Sequence, residues 1–309
     1  MELISSLLIP AALALLLSVL LTPATIRLAG ITGSIDLPDG NRKLHSLPTA
    51  RLGGLGFFTA FLISVLLSSK NLYGYHAALL TGGAVIVAGG VLDDTHNLNP
   101  ILKLVLQLAA ALVGVASLGI PSEFSFLGLF KIPLAAPVGL IIAVIRILLS
   151  INAVNFCDGL DGLATGLSSI ALVSIACLAT SAGRNNVALA SLILVFSLLG
   201  FLPYNRHPAR IYMGDCGSQF LGYAIAILSL ASRGDGNFAV ETMFFLSIPL
   251  IDTWFSAIRR IIKGKSPFSA DKGHLHHILL KRGFSHTGAV KILVCTSGII
   301  AATTLLLIL

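Results

Sequence analysis

Apolar residues in this chain come in long runs rather than in alternation. Runs of roughly 17 to 26 residues, separated by short polar clusters, recur from one end to the other, and about 20 apolar residues are what a helix needs to cross the hydrocarbon core of a bilayer. Apolar length and polar interruptions predict ten membrane-spanning helices, at 3–28, 52–68, 76–92, 100–119, 132–150, 163–181, 187–203, 217–232, 239–258 and 288–308. The third holds Gly82, Gly83, Gly89 and Gly90, small residues that let membrane helices approach closely. The longest connection, 259–287, has 29 residues, too few for a separate soluble domain. The chain, 1–309, therefore reads as one all-α polytopic membrane domain.

Composition agrees: 56% of residues are hydrophobic and 11% charged, with a mean hydropathy of +0.94, far from a soluble globular protein. The first run follows only Glu2, with no basic segment before it and no small-residue cleavage site after it, so it is expected to stay as a membrane helix. Ten spans put both termini on one side and the connections 29–51, 93–99, 151–162, 204–216 and 259–287 on the other. Of 20 lysines and arginines, Lys70, Lys131, Arg184 and Arg233 fall on the terminus side and the other 16 in or next to the five connections. By the positive-inside rule those connections face the cytoplasm and both termini face out.

The net charge of +7 is thus mostly an orientation signal. Nucleic acid is a poor partner for it, and an anionic substrate or lipid headgroup a better one. Cys157, Cys177, Cys216 and Cys295 show no CxxC spacing, and no disulfide is expected. Orientation does not account for the acids. Glu2, Glu123, Asp235 and Glu241 belong outside, while the remaining nine acids, all aspartates, gather at the cytoplasmic face. Seven of the eight histidines follow them, His76 being the exception.

The acids come in clusters. VLDDTHNLNP, 91–100, closes the third run with Asp93 and Asp94; adjacent carboxylates repel each other and persist where a cation or proton is shared. INAVNFCDGLDGLATG, 151–166, places Asn152, Asn155, Asp158 and Asp161 at three-residue intervals. Gly159 and Gly162 argue against a continuous helix there, and a helix end that breaks and re-enters would gather the amides and acids around one centre. Their oxygens are hard ligands of the kind magnesium takes beside substrate phosphates. IYMGDCGSQFLGY, 211–223, flanks Asp215 with glycines and offers Ser218 and Gln219 at the start of the next helix, a favourable place for phosphate.

Two further groups lie inside apolar runs. Asp252, in SIPLIDTWF, must face a partner or a cavity, because a carboxylate is costly at membrane depth. Lys103 stands near the start of the fourth run, with Gln107 one turn further on the same face, and reads either as a snorkelling lysine or as a phosphate contact. The last connection, RRIIKGKSPFSADKGHLHHILLKRGFSH, holds His274, His276 and His277 among basic residues at 259, 260, 263, 265, 272 and 281. It suits a grip on phosphates and a nucleotide sugar better than a zinc site, which would need a third ligand.

Taken in order, VLDD, NAVNFCDGLDGLATG, MGDCGS and DKGHLHH resemble the polyprenyl-phosphate N-acetylhexosamine-1-phosphate transferases over about residues 36–286. The interrupted HLHH is closer to the branch that loads GlcNAc-1-phosphate onto undecaprenyl phosphate than to the phospho-MurNAc-pentapeptide translocases, which usually carry three consecutive histidines. The resemblance implies a magnesium-dependent enzyme of the bacterial plasma membrane, with manganese as a substitute, that takes a UDP-N-acetylhexosamine and undecaprenyl phosphate and releases UMP at the cytoplasmic face. The product would start teichoic acid, O-antigen or a related surface glycan, and a homodimer is compatible with it. It further implies catalytic roles for Asp93, Asp94, Asp158 and Asp161, metal contacts by Asn155 and Asp215, and substrate contacts by Lys103, Asn152, Asp252, His274, His276 and His277. The rival from another class is an ion-coupled transporter, which would carry its ionisable groups near the bilayer midplane.

Overall fold

The computed structural model describes residues 2–38, 48–69, 72, 74–127, 129–234, 236–264 and 273–309. Lys70, Asp235, Lys265 and Lys272 lie outside them. Eleven helices are described: α1 (Glu2–Thr32), α2 (Gly53–Ser68), α3 (Tyr75–His96, with a π turn at Ala78–Gly82), α4 (Pro100–Leu118), α5 (Ala136–Cys157), α6 (Leu163–Ser181), α7 (Asn185–Asn205), α8 (Gly214–Ala231), α9 (Ser247–Ile262), the short α10 (Leu275–Lys281) and α11 (His286–Ile308).

Among the described residues seven helices are long and apolar enough to cross a membrane: α1 over Leu8–Thr32, α3, α4, α5, α6, α7 and α11. The other three of the ten expected passes fall short for separate reasons. α2 has 16 residues, a rise of about 24 Å against a hydrocarbon core of roughly 30 Å. α8 opens on the polar stretch GDCGSQ. The run at 239–258 is not one helix, since Val240–Leu246 forms a 3-10 turn before α9 begins at Ser247.

The solvent-facing rule of soluble proteins is inverted. Exposed positions include Leu16, Leu20, Ile101, Leu104, Ile141, Ile299 and Leu306, while Ser150, Gln107, Arg146, Gln219 and Asp252 are buried. Such a surface suits lipid, and Gln107, Arg146, Gln219 and Asp252 find partners inside the bundle.

Two small sheets join the helices. β1 (Ile35–Asp36) pairs with β2 (Thr49–Ala50) beside the start of α2. At the opposite end, β3 (Glu123–Phe126) and β4 (Phe130–Pro133) form a hairpin, and β5 (Asn237–Ala239) lies parallel to β3. Arg146, which the sequence groups with the basic connection at 151–162, reaches this far end instead. It donates to the Ala239 carbonyl at 3.1 Å and Ser229 Oγ at 2.6 Å, contacts Thr242, and lies over the Phe238 ring.

α8 is the axis of the fold. Every residue from Cys216 to Ala231 is buried, and α3, α5, α2 and α6 pack around it. The approach of α3 is backbone to backbone: a Cβ on Gly90 would stand 2.3 Å from Cys216 Cα, so only glycine brings the end of α3, with its two aspartates, against the start of α8.

Candidate active site

The end of α3, the start of α4, the end of α5 and the start of α8 converge, and each brings a motif. α3 stops at His96 with Asn97 in the left-handed conformation (φ 51°), and Asn99 caps α4 by accepting from the Leu102 N–H, with Pro100 at its first position. This turn folds Lys103 back onto the aspartate pair.

Asp215 is the centre of the cluster. Its Oδ1 accepts from Asn155 Nδ2 at 3.1 Å, and its Oδ2 from Lys103 Nζ at 3.3 Å and Gln219 Nε2 at 3.0 Å. The Lys103 ammonium also pairs with Asp93 Oδ2, while Asp93 Oδ1 accepts from the Leu98 N–H at 2.7 Å. Asn155 donates as well to Ser218 Oγ at 2.8 Å. Its side-chain Oδ1 accepts no hydrogen bond among the described residues, while its main-chain carbonyl accepts from the Asp158 N–H at 3.2 Å.

The neighbouring aspartate does something different. Asp94 accepts from the N–H groups of Asp215 at 3.0 Å and Cys216 at 3.1 Å, and Arg51 stands 3.5 Å from its Oδ1. It is a capping carboxylate supplied to α8 from another helix, satisfying amides that the first turn leaves open and sitting at the positive end of the helix dipole. Gly214, at φ +71°, makes the contact possible, since a Cβ there would meet Asp94 Oδ2 at 2.4 Å.

The 151–166 segment breaks at its glycines and re-enters as α6, as expected, but the break comes after both asparagines. α5 runs unbroken through Asn152 and Asn155 to Cys157, and the chain turns only at Asp158–Gly162, where Gly162 takes φ 77°. Its four polar groups consequently do not share one centre. Asn155 and Asp158 face the cluster, Asn152 turns to Gln107 inside the bundle, and Asp161 is held elsewhere. Burial, and then the charges of Asp215 and Asp94, push the Asp158 carboxyl up to about 8. Even with Asp158 protonated, Asp93, Asp94 and Asp215 against Lys103 and Arg51 leave an excess of one negative charge. That excess, with Asp215 Oδ1 and the Asn155 side-chain oxygen as hard oxygens open to a ligand, fits a divalent cation such as magnesium.

Asp161 accepts from His207 Nδ1 at 2.7 Å and the Ala209 N–H at 3.1 Å, and its own N–H donates to His286 Nε2 at 2.9 Å. The donor atoms of Asp161, His207 and His286 lie within 4.8 Å of one another, close enough for a cation. Yet the single lone pair of His286 Nε2 already faces an N–H, so the geometry is that of a latch joining the α5–α6 turn, the α7–α8 loop and the start of α11.

A third group lies along α9 and α10. Asp252 Oδ2 pairs with His274 Nδ1 at 2.8 Å and its Oδ1 accepts from the Leu275 N–H at 2.7 Å. One and two turns on, Ser256 stands 3.3 Å from His274 Nδ1, and Arg259 donates to the Gly273 carbonyl at 2.7 Å. Three successive turns of α9 thus dock the histidine segment. His276 is buried, and its ring lies where a Cβ on Gly159 would be, 2.4 Å from Nε2, which seats α10 on the central turn. Burial, then the neighbouring His277, hold its imidazole down at about 3. His274 is buried too, with Phe156 6.0 Å away between ring centroids, and His277 is half-buried.

Arg51, His207 and His286 carried no signal of a site in the sequence, where they read as orientation charges or loop residues. Gln107 and Gln219 did carry one, each standing four residues beyond a charged group of the cluster.

The sequence pattern described as glycosyl transferase family 4 matches residues 76–233, which contain the whole Asp215 cluster except Arg51. The chain is 39% identical, over 90% of its length and 78% of the relative's, to a probable undecaprenyl-phosphate N-acetylglucosaminyl 1-phosphate transferase of Bacillus subtilis. It is 33% identical to a decaprenyl-phosphate N-acetylglucosaminephosphotransferase of Mycobacterium leprae, over 84% of this chain and 73% of that one. An undecaprenyl-phosphate alpha-N-acetylglucosaminyl 1-phosphate transferase of Escherichia coli K12 is 27% identical over 89% and 77%. With acids, amides and a lysine of its four motifs assembled at one end of a helical membrane bundle, the chain belongs to glycosyl transferase family 4, among the polyprenyl-phosphate N-acetylglucosamine-1-phosphate transferases.

Proposed function

We propose that this protein transfers N-acetylglucosamine 1-phosphate from UDP-GlcNAc to undecaprenyl phosphate, giving the lipid diphosphosugar and UMP. The observation that carries the reading is Asp215, held by Lys103, Asn155 and Gln219 where four helix ends meet. A lipid phosphate arriving from the bilayer and a nucleotide sugar arriving from water can both reach such a point. Ionisable groups clustered at helix ends favour transfer chemistry over an ion-coupled transporter, which would keep them near the midplane.

In this reading the lipid phosphate oxygen attacks the phosphorus that bears the sugar, the bond to the bridging diphosphate oxygen breaks, and UMP leaves. A phosphate monoester has a second pKa of about 6, so the attacking group is largely dianionic at neutral pH and needs little help from a base. Direct displacement follows, without a covalent aspartyl intermediate. Lys103 sits between Asp93 and Asp215, where its ammonium can neutralise phosphate oxygens and hold them in line. Asp93 orients that ammonium and takes up any residual proton. Magnesium, or manganese in its place, would be held by Asp215 and Asn155, and would offset diphosphate charge and polarise the attacked phosphorus.

The helix ends that carry the cluster face the cytoplasm of a bacterial plasma membrane. Fifteen of the 20 lysines and arginines fall on that side once Arg146 is assigned to the other, in keeping with the positive-inside rule. α2, α8, and α9 together with the 3-10 turn before it complete ten passes, and both termini lie outside.

The test is a product assay on detergent-purified protein with undecaprenyl phosphate, UDP-GlcNAc and magnesium. UMP that forms only with lipid and metal, stops with EDTA and returns with magnesium or manganese is the expected result. Release of UDP would replace phosphosugar transfer by ordinary glycosyl transfer, and release of neither nucleotide would overturn the reading.

A further inference from the structure

Three helices each place two polar side chains one turn apart on the same face: Lys103 and Gln107 on α4, Asn152 and Asn155 on α5, and Asp215 and Gln219 on α8. One member of each pair, Lys103, Asn155 and Asp215, stands in the acidic cluster. The other three meet one layer deeper. Gln219 Nε2 donates to Asp215 Oδ2 at 3.0 Å, Gln107 Nε2 donates to Gln219 Oε1 at 3.0 Å, and Asn152 Nδ2 donates to Gln107 Oε1 at 2.9 Å and to the Leu148 carbonyl at 2.8 Å. Gln107 and Gln219 are only 4% and 5% exposed.

The direction of this chain is dictated from both ends. An ionised carboxylate only accepts, so Gln219 must turn its NH2 to Asp215 and its carbonyl to Gln107. Gln107 must then donate to Gln219 and accept from Asn152. At the far end the Leu148 carbonyl is also a pure acceptor, which again requires Asn152 to present its NH2. The two constraints agree, so every amide has one orientation and none can flip without facing oxygen to oxygen in a buried setting.

We propose that Asn152, Gln107 and Gln219 form a one-directional amide relay that holds Oδ2 of Asp215 toward the protein interior and so aims its Oδ1 at a divalent cation. Gln107 and Gln219 are then positioning residues for metal binding, and Asn152 serves the relay rather than the substrate. The inference rests on the reading of Asp215 and Asn155 as cation ligands. Carboxylate ligands are held by such outer partners, whose loss typically weakens metal binding about 10- to 100-fold.

The experiment measures Mn²⁺ binding by electron paramagnetic resonance of the free ion, on the full-length protein in detergent without nucleotide or lipid. Wild type, Gln219→Met, Gln107→Met and the double variant are compared, with thermal midpoints recorded on the same samples. Gln219→Met is expected to weaken Mn²⁺ binding by about tenfold or more and Gln107→Met by a smaller factor. The double variant should be no weaker than Gln219→Met alone, because Gln107 acts only through Gln219. Raising the Mg²⁺ concentration should restore kcat in the single variants, a rescue that general loosening of the fold would not give. Should the methionine variants not survive extraction, Gln107→Asn and Gln219→Asn, one methylene too short to span the gaps, carry the same comparison. Additive losses, or wild-type affinity in both single variants, would overturn the relay while leaving the cation site standing. Wild-type protein that forms UMP yet binds no Mn²⁺ would overturn the cation reading itself.

Discussion

Asp93 and Asp94 are adjacent and chemically identical, yet their contacts assign them different work, and Asp94→Asn tests that division. Asparagine keeps one acceptor for the α8 amides and turns an NH2 toward the other N–H. The Asp215 and Cys216 amides, at 3.0 and 3.1 Å, cannot then both be satisfied. One hydrogen bond to a charged group is lost, about 1.5–3 kcal/mol, and with it the favourable charge at the helix N-terminus, about 0.3–1 kcal/mol. The expected destabilisation is therefore about 2–4 kcal/mol. Asp93→Asn differs, because its amide oxygen can stay on the Leu98 N–H while Asp215 remains to hold Lys103 at 3.3 Å, and the removal of one of several crowded carboxylates relieves repulsion. It should leave stability unchanged or slightly raised while abolishing UMP release. The assay pairs thermal unfolding in detergent, followed by fluorescence of Trp254, with UMP formation. Equal destabilisation by the two substitutions would refute the reasoning, as would an Asp94→Asn protein of undiminished stability.

Two further predictions concern the histidine segment. Burial holds His276 neutral, with its pKa down at about 3, whereas an unfolded histidine titrates near 6.5. The unfolded state therefore gains a proton that the native state refuses. The corresponding stability is complete above pH 6.5 and is lost at up to about 1.4 kcal/mol per pH unit as the pH falls toward 3, about 2 kcal/mol of it by pH 5. His276→Gln should flatten thermal midpoints between pH 6.5 and 5, and slopes parallel to wild type would contradict the assignment. Asp252→Asn keeps an acceptor for the Leu275 N–H but offers an N–H to His274 Nδ1, forcing the ring into the other tautomer. Exchange of a charge-assisted bond for a neutral one, with the proton moved to the other ring nitrogen, should lower kcat/KM by up to about tenfold, and steady-state rates equal to wild type would show that His274 has no part in turnover.

The order of the helices was legible because apolar runs of membrane length leave few alternatives. The errors have local causes. Residues 120–131 fall between two long runs and read as connection, with 132 and 133 as the start of the fifth run, although Phe124, Phe126, Phe130 and Ile132 mark a hairpin. Val240–Leu246 is as apolar as a helix start. It winds as a 3-10 turn beside β5, where Arg146 bonds the Ala239 carbonyl and contacts Thr242. In the central motif the break falls at Gly159 and Gly162, as the glycines predict, but the helix before it runs past the expected end at 150 and carries Asn152 and Asn155 to Cys157.

The sequence marked the polar residues that the helix ends carry and far less what each one touches, and helix geometry explains the difference. Successive residues on an α-helix point about 100° apart, so Asp93 and Asp94 meet different neighbours: Lys103 of α4 for one, the first turn of α8 for the other. Asp158 and Asp161 are split by the turn between them, and the second is drawn to His207 and His286, more than 40 residues away in sequence. A polar pair four residues apart is different, because both members share a face wherever the helix packs. Lys103 with Gln107, and Asp215 with Gln219, could therefore be read as pairs before any partner was known. Only the packing of α4, α5 and α8 reveals that the second members meet each other. Since the carboxylate and the Leu148 carbonyl accept only, that meeting admits one arrangement of donors, and the orientation of Asp215 follows from residues a full turn removed from any substrate.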